Sequence, residues 1–394
     1  MNTYKYFEFR DLIEIFESME KIHPNFYFNI SKHQFEKEME KTKENWENLD
    51  IYEKNYELLR LNALIGDLHT RAMPTIGSKY TYPVRIGKFK EGYFIKDCVM
   101  KSFAEKNMYA QVLAINDINI DELKNILKKI ISTEVGAFES IFCNLLTSPL
   151  ILKIAKITNK DEITMTLKKD NKVYNVIIQP ERKKVENKKI KWLFSEIKPN
   201  FKFENTDEYF YIDINHFSDD KKINLNKLYI EASKAINMRK PFIIDVRGNS
   251  GGNFNRFKDI IELLKEEGIK GYCLIDNESC SASVMASTAL KKIGFKLVGE
   301  PTKQPSTFFG GVYGIKETKS GFKYLVASSL VDDNQNRHYQ GISRSVKFYD
   351  APLQPDVLIE QSIVDYKAKK DTALDYCKKN ISQTKVHIVP YEFS

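Results

Sequence analysis

The sequence predicts an α/β protein with a helical N-terminal region and a β-rich middle region, and three patterns carry this prediction. Apolar residues recur at three- and four-residue spacing up to about residue 68, as in amphipathic helices. Short β-like runs dominate the next hundred residues, and from Tyr209 onward continuous apolar strands alternate with amphipathic helices. We therefore predict three domains, over residues 1–75, 76–185 and 186–394.

Length and composition indicate a folded protein of two or three domains. The chain has 394 residues, of which 42% are hydrophobic and 12% aromatic, so it can bury a core and is not a disordered chain. The 61 basic and 53 acidic residues give a net charge of +8, and the two signs are interspersed. This mild excess favours neither a nucleic-acid surface nor a membrane anchor.

Cysteine usage and the N-terminus predict a cytoplasmic protein. The 5 cysteines form an odd, scattered set without a CxxC pair, which favours reduced thiols over disulfides or a zinc site. The first residues include acidic side chains where a signal peptide needs an apolar core. The longest uncharged stretch, Ser140 to Leu152, is too short for a helix that crosses a membrane.

In the N-terminal region the helical pattern has recognisable ends. Leu12, Ile15, Phe16 and Met19 form one apolar stripe, which His23-Pro24 interrupts. A later stripe ends at Gly66, a residue suited to close a helix. This region is predicted to be an all-helical cap.

The β-rich region contains a predicted strand, helix and hairpin. Val112 to Ile115 is an apolar strand, a turn follows, and Asp121 is placed to cap the next helix. Two alternating runs, residues 163–167 and 173–178, flank Asp170-Asn171 and predict a hairpin. The highly charged segment 181–191 is predicted to be a linker.

The C-terminal region reads as a largely parallel sheet with helices. The predicted strands have continuous apolar runs, as strands buried on both faces do. The strands are Tyr209 to Ile214, Pro241 to Val246, Tyr272 to Ile275 and Phe295 to Val298, and the helices are Leu225 to Met238, Phe257 to Glu267 and Ala282 to Ile293.

A glycine-rich segment follows the second of these strands and is the first candidate for chemistry. It reads Asp245-Val-Arg-Gly-Asn-Ser-Gly-Gly252. Glycines at a strand end allow a sharp turn and leave N–H groups free to face an anion. The spacing fits neither a P-loop nor a dinucleotide fingerprint, and a plain tight turn is an equally good interpretation.

Ser281 stands where a strand and a polar turn lead into a helix, and it is the second candidate. A serine at this position is most often a helix N-cap. The same corner also suits a nucleophilic serine, because the neighbouring amides can stabilise an oxyanion. Cys280 is an adjacent alternative nucleophile, although a buried apolar role is commoner for such a residue.

The third candidate is His69, in the segment Gly66-Asp-Leu-His-Thr70. It follows a predicted helix end and precedes an irregular stretch, so its ring can reach into a cleft. Most of the 6 histidines are expected to be surface or capping residues. His69 becomes a strong candidate only in combination with the other two motifs.

In this order, the motifs resemble the serine peptidases that include the C-terminal processing (tail-specific) peptidases and the tricorn core protease. The bacterial branch carries a GDxHT segment, a DVRGNSGG loop, a serine corner and a GEPT strand end. Here the last two read Ser279-Cys-Ser-Ala-Ser283 and Val298-Gly-Glu-Pro-Thr302, and Pro355-Asp-Val357 is similar to the closing segment. The likeness is strongest from Tyr209 to Leu374.

The resemblance implies a fold and a set of residue roles. The fold would be a ClpP/crotonase-like α/β core, with the helical cap and a PDZ-like or reduced β module. Ser281 would be the nucleophile, His69 the general base, and the N–H groups of Gly252 and Ala282 the oxyanion hole. The carboxylate-binding loop of PDZ modules is not evident, so recognition of substrate C-termini is an open question.

The departures from the family pattern leave the third catalytic member open. Ser306 falls where the lysine of a serine–lysine dyad would align, which favours the histidine-based arrangement over a base such as Lys303. Relatives use a glutamate near the position of Tyr349, and Asp350 beside it is the predicted replacement. Glu300 and Asp67 are rival carboxylates.

The expected function is hydrolysis of peptide bonds in peptides or unfolded proteins, by a serine endopeptidase or C-terminal processing peptidase. No cofactor, metal, nucleic acid or membrane partner is expected, and a homo-oligomer is compatible with the sequence. The main alternative is a non-catalytic small-molecule or peptide-binding protein on the same fold. An acyl-transferring or CoA-dependent enzyme of the crotonase-like fold is a further alternative, but it would not require His69.

Overall fold

The structure of the protein is a computed structural model. It describes residues 6–134, 137–185, 188–189, 192–194, 198–218, 225–334, 336–338 and 351–381. Every structural statement below concerns these residues. The predicted third catalytic member, Asp350, lies outside them.

Twelve α-helices are found in the described residues, and they confirm the helical N-terminal region. In chain order they are α1 Phe9–Glu20, α2 Lys32–Asn45, α3 Ile51–Ala63, α4 Lys101–Asn107, α5 Ile120–Lys128, α6 Phe138–Leu145, α7 Pro149–Ile154, α8 Leu225–Asn237, α9 Asn255–Glu266, α10 Ala282–Lys292, α11 Ile363–Lys367 and α12 Thr372–Asn380.

The described strands form several separate sheets. In chain order they are β1 Arg71–Ala72, β2 Tyr80–Thr81, β3 Val84–Phe89, β4 Gly92–Cys98, β5 Gln111–Ile115, β6 Ile118–Asn119, β7 Ile163–Lys169, β8 Lys172–Ile178, β9 Glu181–Arg182, β10 Lys184–Val185, β11 Lys188–Lys189, β12 Phe201–Asn205, β13 Phe210–Ile214, β14 Phe242–Asp245, β15 Gly271–Ile275, β16 Lys296–Gly299, β17 Phe308–Gly310, β18 Lys316–Glu317, β19 Lys323–Leu325, β20 Ser329–Val331, β21 Arg337–His338 and β22 Val357–Leu358.

The chain divides into two compact units. The first unit comprises Met1–Glu196, Thr307–Asp332 and Asn336–Phe348, and the second comprises Ile197–Ser306, Asp333–Gln335 and Tyr349–Ser394. The predicted helical cap and β-rich region both fall in the first unit, and the three-domain division stays a prediction. Residues 307–332 return to the first unit, whereas the sequence had grouped them with the α/β core.

In the first unit, helices α1 to α3 build one core together with the returning segment. Their inward stripes bury Leu12, Met19 and Leu58 completely. Phe322 and Tyr324 from the returning segment pack into this same core. The segment also pairs through β19 with β1, just after the His69 motif, so residues distant in sequence complete the cap.

The β-rich part of the first unit is an antiparallel sheet in the order β3-β4-β5-β7-β8, with β6 beside β5. The predicted hairpin is confirmed: β7 and β8 pair across Asp170 and Asn171, which have φ of 49° and 61°, as a tight two-residue turn requires. The predicted cap of α5 is wrong. Asn119, not Asp121, caps this helix, because its side chain accepts the N–H of Glu122.

The second unit contains the predicted parallel sheet, in the order β12-β13-β14-β15-β16-β22. The pairs from β13 to β22 are parallel, and only β12 runs antiparallel at one edge. Strands β14 and β15 are buried along their whole length, which explains their continuous apolar sequence. Carboxyl ends of parallel strands share one edge of a sheet, so the glycine-rich loop and the Ser281 turn lie at the same edge.

Helices cover both faces of this sheet. Cys377 on α12 packs with Tyr272 and Leu274 of β15 on one face. On the other face, the Cys273 Sγ atom of β15 lies 3.7 Å from Ser287 Oγ of α10. The α/β class predicted from the sequence is confirmed by this layered arrangement.

Arg247 joins the start of the glycine-rich loop to helix α12. Its guanidinium donates to both carboxylate oxygens of Asp245 and to both of Asp371, at 2.6 to 2.9 Å. Asp371 also caps α12 by accepting the N–H of Leu374. Burial alone would raise the pKa of the Asp371 carboxyl, but the hydrogen bonds and charge of Arg247 hold it below its usual range.

Two further features concern the chain as a whole. In the part of the chain that the structure describes, no helix is long and apolar enough to cross a lipid bilayer. All five cysteines are free thiols, and four of them are buried.

The Arg247 network predicts a specific pH dependence of stability. Because the folded-state pKa of Asp371 is lowered, its contribution is fully present above the unfolded-state value of about 3.9 and is lost as pH falls through the folded-state value. We expect Asp371→Asn, which keeps the helix cap, to lower stability at pH 7 and to weaken the acid dependence of stability below about pH 4. Urea unfolding at both pH values measures this, with exposed Asp375→Asn on the same helix as the control. An unchanged acid dependence in Asp371→Asn would contradict the prediction.

Candidate active site

The glycine-rich loop is held in place by the buried side chain of Asn249. Its amide nitrogen donates to the Ile214 carbonyl at the end of β13, and its amide oxygen accepts the N–H of Gly251 at 2.7 Å. The Asn249 carbonyl accepts the N–H of Cys280 and the hydroxyl of Ser283. One residue thus connects a sheet strand, the glycine-rich loop and the Ser281 turn.

Asp276 ties the same two loops together from the other side. This half-buried carboxylate accepts the N–H of Gly248 at 2.9 and 3.0 Å and the N–H groups of Glu278 and Ser279. Burial raises the pKa of the Asp276 carboxyl even though these backbone donors oppose the rise. The turn before Ser281 is therefore fixed to the glycine-rich loop by several independent hydrogen bonds.

Ser281 has an unusual backbone conformation at the start of α10, with φ 56° and ψ −115°. A non-glycine residue in the positive-φ region is strained by about 1 to 3 kcal/mol and is held there by its surroundings. Its side chain makes no capping hydrogen bond to the helix. The N-cap interpretation of this serine is therefore wrong in its essential feature, because the hydroxyl is not used to satisfy the helix end.

Gln304 stabilises the strained turn, and the sequence did not reveal it. The fully buried Gln304 side chain accepts the N–H of Ser281 at 3.0 Å and the thiol of Cys280 at 2.9 Å. Cys280 itself is 7% exposed, with its thiol on this buried amide. This burial fits a structural thiol better than an accessible nucleophile. A glutamine in a polar loop has no sequence signal of its own, since its role depends on a contact 23 residues away.

Two backbone N–H groups beside Ser281 remain available to a ligand. Among the described residues, no hydrogen-bond acceptor is found for the N–H of Gly252 or for that of Ala282. Gly251 lies between them: a Cβ atom at this position would be 2.8 Å from Ser281 Cβ and 3.3 Å from the Ala282 nitrogen. Glycine is therefore required at Gly251, which also has φ 114°. Both predicted oxyanion donors thus lack an acceptor among the described residues, as donors reserved for an oxyanion would.

His69 belongs to the first unit and Ser281 to the second. The His69 motif forms a tight turn after α3, where Gly66 has φ 74°. The Asp67 carboxylate accepts the backbone N–H of His69 at 2.8 Å, and the Asp67 carbonyl accepts that of Thr70. The imidazole side chain is 16% exposed, and its Nδ1 atom lies 4.0 Å from Asp67 Oδ1.

Phe308 and Glu134 also lie near His69. The Phe308 ring, from the returning segment, stacks on the imidazole with 5.9 Å between centroids and 21° between planes. Glu134 accepts the N–H of Leu68 at 3.1 Å. One ligand atom from each of Asp67, His69 and Glu134 lies within 4.8 Å of the others, a set that could hold a divalent cation. Such a cation would occupy a ring nitrogen of His69 and so compete with its predicted role as a base.

The other predicted site residues have structural partners. The Glu300 carboxylate accepts the Asn277 side-chain amide at 2.8 Å and the N–H of Gln361. The Lys303 ammonium lies 3.4 Å from the Glu278 carboxylate, so this side chain has an ion-pair partner. Asp67 is the rival carboxylate that the structure brings close to His69, while Asp350 lies outside the described residues. The catalytic roles of Ser281, His69 and Asp350 stay predictions.

Comparison with known proteins supports a peptidase. The sequence profile of peptidase family S41 matches residues 208–272, which run from just before β13 to β15 of the parallel sheet. The resemblance predicted from the motifs is thereby confirmed for this family. No curated protein sequence matches the chain significantly.

Solved structures show which folds this chain resembles. Mature CPAF is similar with a TM-score of 0.64 at 11% identity, covering 98% of this chain and 99% of that one. CPAF complexed with lactacystin gives 0.64 at 10% identity over 95% and 97%. At such identity the likeness shows a shared fold. The photosystem II D1 C-terminal processing protease, at 0.44 and 12% identity over 98% and 100%, is too distant to support an argument.

Because the backbone of Ser281 is strained, we predict that glycine is not less stable than alanine at this position, the reverse of its usual effect. At ordinary positions glycine is less stable than alanine by about 0.5 to 1 kcal/mol. Because φ is 56° here, we expect Ser281→Gly to be at least as stable as Ser281→Ala, and by up to about 1 kcal/mol more stable. The measurement is the free energy of unfolding of both variants. A Ser281→Gly variant with the usual glycine penalty would contradict a strained turn.

The role of Asn249 predicts a large loss of stability on truncation. Asn249→Ala leaves the buried carbonyl of Ile214 and the N–H of Gly251 without partners, and we expect a cost of about 2 to 4 kcal/mol. Ser250→Ala, at the exposed residue next to Asn249 in the same loop, should cost less than about 0.5 kcal/mol. Chemical denaturation of both variants tests this difference. Equal stabilities would show that Asn249 does not hold the loop.

Proposed function

We propose that this protein is a serine peptidase that hydrolyses peptide bonds in peptides or unfolded proteins. In this proposal Ser281 is the nucleophile, His69 is the general base, and the N–H groups of Gly252 and Ala282 stabilise the oxyanion. The family match and the shared fold support a peptidase. The assignment of these residues and of the substrate class is the proposal.

One observation carries the proposal: the local structure around Ser281 suits a nucleophile better than it suits a residue that caps the helix. Its strained backbone, the acceptance of its N–H by Gln304 and the absence of a capping bond leave the hydroxyl uncommitted to the helix end. Beside it stand the two N–H groups without acceptors among the described residues. A plain N-cap needs none of these features, whereas acyl transfer needs a serine hydroxyl that is not used elsewhere and amide donors for the oxyanion.

The proposed chemistry is acyl transfer in two halves. The Ser281 oxygen attacks the carbonyl carbon of the peptide bond while its proton passes to Nε2 of His69. Negative charge then develops on the carbonyl oxygen, where each amide donor can lower the barrier by roughly 3 kcal/mol. The C–N bond breaks as His69 returns the proton to the amine, and a water molecule hydrolyses the acyl-enzyme by the same steps.

Labelling with a fluorophosphonate tests this mechanism directly. The probe phosphonylates an activated serine, and we expect one adduct, mapped to Ser281 by mass spectrometry of the folded protein. Ser281→Ala should abolish labelling, and His69→Ala should slow it by about 100-fold or more, because the general base is lost. Ser233→Ala, at a serine on α8 outside the proposed site, is the matched control and should label like the wild type.

The other outcomes assign different functions or residues. Folded protein that carries no adduct at Ser281 would contradict the peptidase and favour a binding protein on the same fold. An adduct at Cys280, or labelling that survives His69→Ala unchanged, would overturn the residue roles. If Lys303 were the base, the rate should rise well above pH 7, whereas an imidazole base predicts a rise near its unperturbed value of about 6.5.

A further inference from the structure

The His69 motif contains a fully buried carboxylate whose surroundings the proposed reaction does not yet explain. Asp67 has 1% of its side chain exposed and lies at the centre of several hydrogen bonds. Its Oδ1 atom accepts the backbone N–H of His69, and its Oδ2 atom lies 3.1 Å from Nε2 of His23. The hydroxyl of Thr70 is a further donor to it. The carboxylate is therefore immobilised at a fixed position beside the imidazole of His69.

His23 is the partner that fixes this carboxylate, and its own tautomer can be deduced. The backbone N–H of Asn25 donates to Nδ1 of His23 at 3.1 Å, so Nδ1 carries no proton. The proton of the neutral ring is then on Nε2, which donates it to Asp67 Oδ2. The His23 side chain is 0% exposed and packs against Phe309 of the returning segment. His23 is thus a neutral donor whose orientation is fixed by a hydrogen bond at each ring nitrogen.

The charged form of Asp67 is favoured in this environment. Burial alone would raise the pKa of the Asp67 carboxyl, but the hydrogen bond from His23, followed by the effects of His69 and Thr70, holds it below its usual range. An ionised carboxylate near Nδ1 of His69 stabilises the protonated form of that nitrogen. The opposite nitrogen, Nε2, is then the one that is free of a proton.

We infer that Asp67 is the positioning residue that orients His69, and that His23 holds Asp67 in place for this purpose. This inference rests on the proposed function of Ser281 and His69. It assigns the third member to a residue two positions before the base, in the same turn, rather than to Asp350. Motif spacing does not distinguish Asp67 from Glu300, whereas the structure places the buried Asp67 beside His69 and gives Glu300 other partners.

Each proton in this arrangement can be assigned to an atom before and after the transfer. In the resting state Nδ1 of His69 bears a proton that faces Asp67, and Nε2 accepts the proton of Ser281. The imidazolium that forms is stabilised by the Asp67 carboxylate, which does not itself become protonated. The 4.0 Å between Nδ1 and Oδ1 is about 1 Å longer than a hydrogen bond, and catalytic hydrogen bonds commonly shorten only when substrate binds. Reorientation of the ring suffices, because the carboxylate is fixed.

Another charged group lies near His69, and its effect has to be distinguished from that of Asp67 by experiment. Glu134 contributes a carboxylate within 4.8 Å, and Phe308 covers the face of the ring. Glu134→Gln removes the charge but keeps an oxygen that can accept the N–H of Leu68, so it is the matched charge control. A chelator in every assay excludes a cation bound by Asp67, His69 and Glu134.

The test is the rate of fluorophosphonate labelling at Ser281 as a function of pH. For Asp67→Asn we expect labelling at pH 7 to fall by roughly 100-fold or more, because the wrong tautomer of His69 becomes favoured. We also expect the midpoint of the pH–rate curve to move to lower pH by about 1 unit or more, since loss of a negative neighbour destabilises the imidazolium. Glu134→Gln should produce a smaller change in both quantities. Imidazole ¹⁵N NMR should show Nδ1 of His69 protonated in the wild type and a mixture of tautomers in Asp67→Asn.

A pair of His23 variants keeps the inference testable if Asp67→Asn does not fold. His23→Gln can retain a donor to Asp67, and we expect labelling within about threefold of the wild type. His23→Leu removes the donor and should reduce labelling by about 10-fold or more in protein that thermal unfolding shows to be folded. His33→Leu, at an exposed histidine of α2, is the matched control and should not change the rate.

The outcomes separate this inference from the proposed function. Absence of an adduct at Ser281 in the wild type overturns the proposed function, and the inference with it. Normal wild-type labelling with an unchanged rate and pH midpoint in Asp67→Asn overturns the inference alone. If the rate of labelling at Ser281 is lost in Asp350→Asn but stays at the wild-type value in Asp67→Asn, the third catalytic member is Asp350. Wild-type labelling by folded His23→Leu would remove His23 from the arrangement.

Discussion

The side chain of Asn249 is the interaction on which the geometry around Ser281 depends. Its amide has one donor directed to a strand carbonyl and one acceptor directed to the glycine-rich loop, while its own carbonyl receives two donors from the Ser281 turn. These bonds are buried, so breaking any of them leaves a polar group without water. The loop and the turn therefore form one rigid body at the edge of the sheet, and the direction of the Gly252 and Ala282 amides follows from it.

The contacts around Ser281 explain why its backbone stays strained. Gln304 accepts the serine N–H, Asp276 fixes the preceding turn, and Gly251 leaves room for the serine Cβ atom. A relaxed backbone at Ser281 would break these contacts, so the surroundings impose the unfavourable φ. In the first unit the same principle operates differently: the buried Asp67 is fixed by hydrogen bonds, and the imidazole beside it keeps partial exposure. In both places a candidate catalytic side chain, Ser281 or His69, lies next to polar atoms that hydrogen bonds hold in fixed positions.

The layered fold and the candidate residues could be predicted from the sequence, because they depend on local signals. Continuous apolar runs predicted the parallel strands, Asp170-Asn171 predicted the hairpin turn, and the glycine pattern marked the loop before Ser281. The supporting residues could not be predicted, because each acts through contacts with distant parts of the chain. Gln304 is an ordinary loop residue until Ser281 contacts it, and His23 looked like a helix terminator beside Pro24 until Asp67 was found next to it. Asn119 took the place of Asp121 as a cap because the helix begins at Ile120, two residues earlier than a cap at Asp121 would require.

The return of residues 307–332 to the first unit also bears on the order in which the protein is completed during synthesis. The core under the His69 motif needs Phe322 and Tyr324, and the ring stacked on His69 is Phe308. These residues leave the ribosome after the glycine-rich loop and the Ser281 turn, although His69 itself is made long before. Domains generally fold as units during synthesis. The packing around His69 is therefore completed only after Ser281 has been made, so a growing chain that already contains both residues does not yet have the packed imidazole that the proposed peptide hydrolysis would require.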